Sequence, residues 1–431
     1  MAAQLLARYL AARGIHYGWV IVAITFSFVV CSSAAMSVAG VLVPKISQEF
    51  GWSIGEISGP LALRLALFGI MAPFAGALML RYGLRTVVTG SATLLIAGLV
   101  VSILMTAKWQ LWLGIGVLLG VAAGMTALVL SATVATRWFT ARRGLVLGVM
   151  GAGTATGQLV FLPAGAWISE VYGWRAAFAP SVLAIVVLST LFVLFVRNDP
   201  YELGLAPFGE EAPRAPIERA ATNVLGLSFS VLREASGTLV FWVLAFSFFI
   251  CGVSSVGLIQ PHFVALCSDF GIPAVTSASL LAVIGICDLI GTIGSGWLSD
   301  RYDNRWLLVW YYTFRGFALL WLPYSDFSLV GLSFFAVLFG LDFIATVPPT
   351  VKIAAQAFGR EKGPIVFGWA FASHQIGAGV MAFGAGASRD LLASFLPAFL
   401  VAGLLCLLAA ASFGLLRGWR DSTATAVAGA T

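Results

Sequence analysis

Hydrophobic residues in this chain run in long unbroken blocks, without the alternation of strands or the single stripe of a surface helix. Blocks of about 20 residues, enough to cross ~30 Å of hydrocarbon, fall near 17–43, 57–80, 86–107, 109–136, 144–170, 174–196, 238–266, 274–299, 306–323, 328–351, 363–387 and 391–416. They predict twelve membrane-spanning helices. The first block is too long for a signal-peptide core and is read as a retained span. One long polar break separates six blocks from six. It holds Asp199, Pro200, Glu210, Glu211, Pro213, Arg214, Pro216 and Arg219, and reads as a linker with a short surface helix. The expected organisation is a six-helix bundle over 1–196, a linker over 197–236, and a second six-helix bundle with a short tail over 237–431.

Composition agrees with lipid as the solvent. Only 10% of the 431 residues are charged and 60% are hydrophobic, with a mean hydropathy of +0.99. Soluble domains carry about 25% charge. The 47 glycines suit close helix approach in a membrane. The cysteines, Cys31, Cys251, Cys267, Cys287 and Cys406, lie in or beside apolar blocks without metal-ligand spacing. No disulfide framework, metal or cofactor is expected.

The net charge of +6 reflects membrane orientation, with no nucleic-acid partner implied. With the N-terminus placed in the cytoplasm, 18 of the 24 lysines and arginines fall in cytoplasmic segments, four in outer segments, and two, Arg64 and Arg315, inside spans. That bias predicts cytoplasmic termini and linker in an inner or plasma membrane.

The halves repeat. Shifted by 220 residues, Phe26/Phe246, Ser27/Ser247, Phe28/Phe248, Cys31/Cys251, Phe50/Phe270, Gly51/Gly271, Gly76/Gly296, Arg81/Arg301, Tyr82/Tyr302 and Arg85/Arg305 coincide without a gap. The period is too long for a solenoid and marks duplication of a six-helix unit, a transporter architecture.

Here the chain resembles the major facilitator superfamily, whose loop after the second helix reads Gly-x3-Asp-Arg/Lys-x-Gly-x-Arg/Lys. The first copy is Gly76, Leu80, Arg81, Gly83, Arg85. The second is Gly296, Asp300, Arg301, Asp303, Arg305. Each copy departs once, at Leu80 and at Asp303, and the missing acid implies a weaker cytoplasmic latch in the first half. The resemblance spans the whole chain and implies two pseudo-symmetric six-helix bundles. A narrower resemblance is to monocarboxylate porters. It rests on His16-Tyr17-Gly18-Trp19-Val20, on Trp138-Phe139-x2-Arg142-Arg143-Gly144-x3-Gly148 with Gly153 and Gly157, and on Asp288. Where that family has an arginine four residues after the acid, this chain has Thr292. Pro44-Lys45 is similar to a Pro-Lys pair of that family, and the resemblance implies a role for Lys45 in taking up proton and anion. His262 is similar to a histidine of some monocarboxylate porters, and both residues are candidate substrate contacts.

Ionisable residues inside spans are functional candidates by default. Asp288 is 12 residues from Asp300, so ~18 Å from the cytoplasmic end at 1.5 Å per residue. Arg315 and Asp342 are each ~15 Å deep. Asp288 and Asp342 are read as proton- or substrate-coupling groups, and Arg315 as half of a structural ion pair. Arg64, ~12 Å below the outer face, has no acid on its own span. It cannot shed its charge, so it needs an anion, which a substrate carboxylate would supply bidentately. His374 and Gln375, mid-span, join it as candidate substrate contacts. Gly144, Gly148, Gly153 and Gly157, with Pro163, read as close helix packing with a bend.

The expected function is secondary transport of small organic anions, monocarboxylates first, coupled to protons or to a counter-anion, by alternating access of a monomer in the bilayer. The rival within transport is an exporter of amphipathic compounds. The rival outside it is a membrane sensor or scaffold. No nucleotide loop, metal constellation or nucleophile motif supports an enzyme.

Overall fold

The computed structural model describes residues 2–126, 128–213 and 223–416. Arg214, Pro216, Arg219, Arg417 and Arg420, used above for the linker and the orientation, lie outside them. Among the described residues the regular structure is helical, apart from one isolated bridge between Phe139 and Phe208.

Among the described residues, ten stretches are long and apolar enough to cross a membrane, against the twelve expected. Two features account for the difference. Leu329–Arg389 counts as one stretch of 61 residues, yet the backbone turns inside it at Gly359, where φ is 79° and ψ 171°. A side chain would resist that conformation. Asn304–Trp321 is a helix of 18 residues, but it carries Arg305, Arg315 and three tryptophans and falls outside the ten.

Local chemistry sets several helix ends. Ser53 and Glu56 form a capping box at the start of helix Ile54–Tyr82, satisfying two backbone donors reciprocally. Thr238 and Ser328 cap helices Leu239–Gly252 and Leu329–Asp342 with their hydroxyls. Gly51 ends helix Val43–Phe50 in the left-handed region, at φ 66°.

The chain divides into two compact units. The first comprises Met1–Arg142 and Gly153–Ser230. In it, helix Ile54–Tyr82 packs along Leu119–Thr126, and helix Gly18–Val41 packs on Ala179–Phe195. The start of the linker belongs to this unit. His16 Nε2 lies 2.9 Å from the Ala206 carbonyl, and the Phe208 carbonyl accepts from Thr140 N at 2.9 Å.

The second unit comprises Arg143–Ala152 and Val231–Thr431. Helix Leu239–Gly252 packs on Val347–Leu392, and Ala274–Ser299 on Leu329–Asp342. Small residues permit these contacts. A Cβ on Gly252 would run into the His374 carbonyl, and one on Gly291 into the Leu341 carbonyl.

Candidate functional site

The second unit contains a buried polar cluster built around an interrupted helix. Helix Leu329–Asp342 stops, four residues turn, and a new helix starts at Val347. Pro348 and Pro349 explain the break, because neither can donate to the carbonyl four residues earlier. The orphaned carbonyls find other donors. Ser295 Oγ donates to Ala345 O at 2.5 Å. Val347 N turns to Ile344 O at 2.9 Å, and the Phe343 carbonyl accepts instead from Arg315 Nη2 at 3.1 Å. Arg315 Nη2 also donates to the Asp342 carbonyl.

Arg315 is the centre of this cluster and is 1% exposed. Its Nε donates to Asp342 Oδ2 at 2.6 Å. Its Nη1 donates to Cys251 Sγ at 3.1 Å and to Ser254 Oγ at 3.3 Å. Cys251 also lies 3.4 Å from Thr346 Oγ1. The other carboxylate oxygen of Asp342, Oδ1, is buried without a hydrogen-bond partner.

Asp288, also buried, meets the same break from helix Ala274–Ser299. Its Oδ1 accepts the Ile344 backbone N–H at 3.0 Å and the Thr292 hydroxyl at 2.9 Å. Thr292, standing where an arginine was anticipated by resemblance, therefore bonds the acid directly. The cluster holds one guanidinium and two carboxyls.

In the first unit Arg64 is buried, with 8% exposure. Gly120 brings the neighbouring helix against its backbone. One guanidinium nitrogen, Nη1, donates to the Met36 carbonyl, while Nε has no partner. Among the described residues no carboxylate lies within ion-pair distance of it.

The remaining candidates are dispersed. His374, in the second unit, is buried between Phe248 and Phe371, with ring centroids 5.5 and 5.6 Å away, and its Nδ1 has no partner. Gln375 follows it, half-buried. His262 Nε2 lies 3.0 Å from the Ala382 carbonyl, with the ring 5.4 Å from that of Phe395. Lys45 pairs with Glu170 at 3.0 Å, both partly exposed.

The two loop motifs are built differently. Asp300 accepts the N–H groups of Gly144 and Leu145 at 2.7 and 2.9 Å, at the start of helix Arg143–Tyr172, and pairs with Lys352 at 3.1 Å. A carboxylate there meets the positive end of the helix dipole. Gly296 lets this contact form, since it touches Gly144 backbone to backbone. Asp303 accepts the Arg305 backbone and side chain, and Arg305 Nη1 donates to Leu416 O at 2.7 Å. In the first copy Leu80 is buried and offers no carboxylate. Arg137 instead donates to Met79 O at 3.2 Å and Asn198 O at 3.3 Å, while Asn198 Oδ1 accepts from Arg85 N at 3.0 Å beside Gly83. Gly76 is buried within its helix. Arg81 lies over Tyr82 at 5.3 Å and Arg301 over Trp297 at 3.9 Å.

Sequence reasoning passed over Cys251, Ser254, Ser295, Thr346 and the structural part of Lys352. The Pro348-Pro349 pair was the available sign of the break. The polar residues around it carry no local pattern.

Residues 25–287 match the family model of the Major Facilitator Superfamily. The chain is 28% identical to monocarboxylate transporter 11 of Mus musculus, over 82% of this chain and 73% of that protein. It is 26% identical to monocarboxylate transporter 13 of Bos taurus, over 90% of this chain and 86% of that one. Among solved structures, the proton:xylose symporter XylE superposes with a TM-score of 0.69 at 14% identity, covering 91% of this chain and 94% of that chain. This last likeness speaks to the fold alone.

Proposed function

We propose, because the chain belongs to the Major Facilitator Superfamily, a family of non-catalytic transporters, that it carries small organic monoanions across the membrane by proton-coupled alternating access. The observation that carries this reading is Arg64. It is a buried guanidinium that has, among the described residues, no carboxylate partner and an unbonded Nε. A substrate carboxylate supplies the missing anion in the fork geometry a guanidinium prefers. The relatives named as monocarboxylate transporters support the same substrate class.

Asp288 is the proton carrier in this reading. Asp342 is ion-paired with Arg315, whereas Asp288 is the surplus acid of the cluster. His374 and Gln375 are further substrate contacts. Lys45 and His262 act nearer the outer ends of their spans. The Gly76–Arg85 and Gly296–Arg305 motifs form the cytoplasmic gate. The ten candidate spans become twelve when the stretch turning at Gly359 is split and helix Asn304–Trp321 is added, and both termini face the cytoplasm by the charge bias.

The test is uptake of labelled carboxylates into proteoliposomes with and without an inward proton gradient. Gradient-stimulated uptake of monocarboxylates, competed by other monocarboxylates and not by neutral analogues of the same size, is the expected result. Equal uptake of the neutral analogues would overturn the substrate class, and indifference to the gradient would overturn the coupling.

A further inference from the structure

We infer that the helix break between Asp342 and Val347 is a proton-operated hinge, with Asp288 as its positioning residue. The inference rests on the reading of Asp288 as the proton carrier, and adds what the proton moves.

The break is held from two sides. Arg315 supplies donors to the carbonyls of Asp342 and Phe343, where the first half-helix ends. A cation at a helix C-terminus is favoured by the dipole. Asp288 supplies an acceptor to the Ile344 N–H in the middle of the turn. Ser295 holds the Ala345 carbonyl. Pro348 and Pro349 cannot donate to the Ile344 and Ala345 carbonyls four residues earlier. The turn therefore owes its shape to side chains, and one of them is a carboxylate that can be neutralised.

The groups facing Asp288 decide what neutralisation does. Thr292 bonds it from its own helix. Arg315, from helix Asn304–Trp321, faces the same break, where it holds Cys251 of helix Leu239–Gly252 and Asp342. With both acids ionised this group carries one surplus negative charge, which the Ile344 N–H and the Thr292 hydroxyl help to hold. A proton on Asp288 removes that charge. The Ile344 bond then falls from a charge-assisted hydrogen bond to a neutral one, about half as strong. The carboxylic acid also becomes a donor. The turn loses its hold in the middle while Arg315, paired to Asp342, keeps the first half-helix in place. The second half-helix is the part released.

Hydrogen–deuterium exchange of the full-length protein in lipid nanodiscs reads this directly, over peptides covering residues 339–350 and corrected for intrinsic exchange at each pH. The wild type is expected to lose protection at Ile344 in acid relative to alkaline buffer, on the order of tenfold. Asp288→Asn, a conservative and non-titrating variant, should show the same protection in both buffers. Asp288→Ala, if it folds, should be unprotected in both. Wild-type protection that ignores pH would overturn the hinge, as would an Asp288→Asn variant that keeps the wild-type pH response. Uptake in the same preparations separates the two readings. Loss of proton-driven uptake in Asp288→Asn beside a flat wild-type exchange profile would leave the coupling standing and remove the hinge. A break that titrates in a protein whose uptake ignores the gradient would keep the hinge and remove the coupling.

Discussion

Arg315 and Asp342 form a buried ion pair, Nε to Oδ2 at 2.6 Å, in which the arginine side chain is wholly shielded and the aspartate side chain 9% exposed. The guanidinium also lies 5.7 and 5.9 Å from the rings of Tyr312 and Phe339. One side chain thus neutralises an acid, closes two orphaned carbonyls and packs against two aromatics.

Breaking this pair from one side leaves a buried carboxylate without its cation. Arg315→Ala is expected to destabilise the protein by about 3–5 kcal/mol. Thermal melting in detergent measures the loss. Arg315→Met combined with Asp342→Leu should recover part of it, and only part, because the carbonyls of Asp342 and Phe343 remain without their donor. If the single and double variants melt alike, charge compensation is not what Arg315 contributes.

Arg64→Lys tests the substrate contact. Lysine keeps the charge and loses the planar fork. Normal amounts of folded protein are expected, with KM for monocarboxylates raised about tenfold, or 1.4 kcal/mol. Transport kinetics in proteoliposomes decide it. Equal loss for charged and neutral compounds would make Arg64 a structural residue.

Gly291 and Gly294 share one helix and make opposite predictions. A Cβ at Gly291 meets the Leu341 backbone, whereas one at Gly294 meets nothing within 4 Å. Gly291→Ala should lower stability by about 1–3 kcal/mol through overpacking. Gly294→Ala should be neutral or slightly stabilising, by up to ~1 kcal/mol of helix propensity. The melting temperature should fall for Gly291→Ala and hold or rise for Gly294→Ala, and a Gly291→Ala protein as stable as wild type would show that the helices can separate freely.

Glu49 is a pH-sensitive contact outside the spans. The Trp174 indole N–H, which donates to Oε2 at 2.5 Å, and Arg175, at 2.6 Å from Oε1, hold its carboxyl below the ordinary range. A lowered folded pKa means stabilisation that is present above the unfolded value and lost as the pH falls through the folded one. Because the pair is about 40% exposed, Glu49→Gln should cost under ~1 kcal/mol at neutral pH. The difference from wild type should shrink as the pH drops below about 4. Melting curves across pH check this, and a gap that persists in acid would contradict it.

Topology is open to labelling. Thr106 and Ala141 are exposed at opposite ends of the stretch Lys108–Trp138. With Thr106→Cys outside and Ala141→Cys inside, an impermeant maleimide added to intact cells should modify the first and spare the second. The reverse pattern would invert the orientation.

Some of the fold is legible because its cause is local in sequence. Hydropathy needs only a window of about 20 residues, so the membrane class and the apolar blocks follow from the chain itself. A count over whole helices among the described residues returns ten, because Asn304–Trp321 spreads arginines and tryptophans through its length and Leu329–Arg389 runs on through the turn at Gly359. The 220-residue repeat is legible as well, since it compares the chain with itself. Arg64, Asp288, Arg315 and Asp342 stand out because charge is rare in such blocks.

What joins to what was decided in three dimensions. Asp342 is 27 residues from Arg315, Lys352 is 52 from Asp300, Ile344 is 56 from Asp288, and Arg175 is 126 from Glu49. A helix that is apolar all round carries no moment to fix which face turns toward which neighbour. That rotation is set by glycines such as Gly252 and Gly291, whose missing side chains let particular backbones touch. The sequence by itself therefore determined that these charges lie among apolar spans and must be compensated there. Only the packing of the helices decided that Arg315 is compensated by Asp342, that Asp288 holds the amide of Ile344, and that Arg64 has no carboxylate within reach among the described residues.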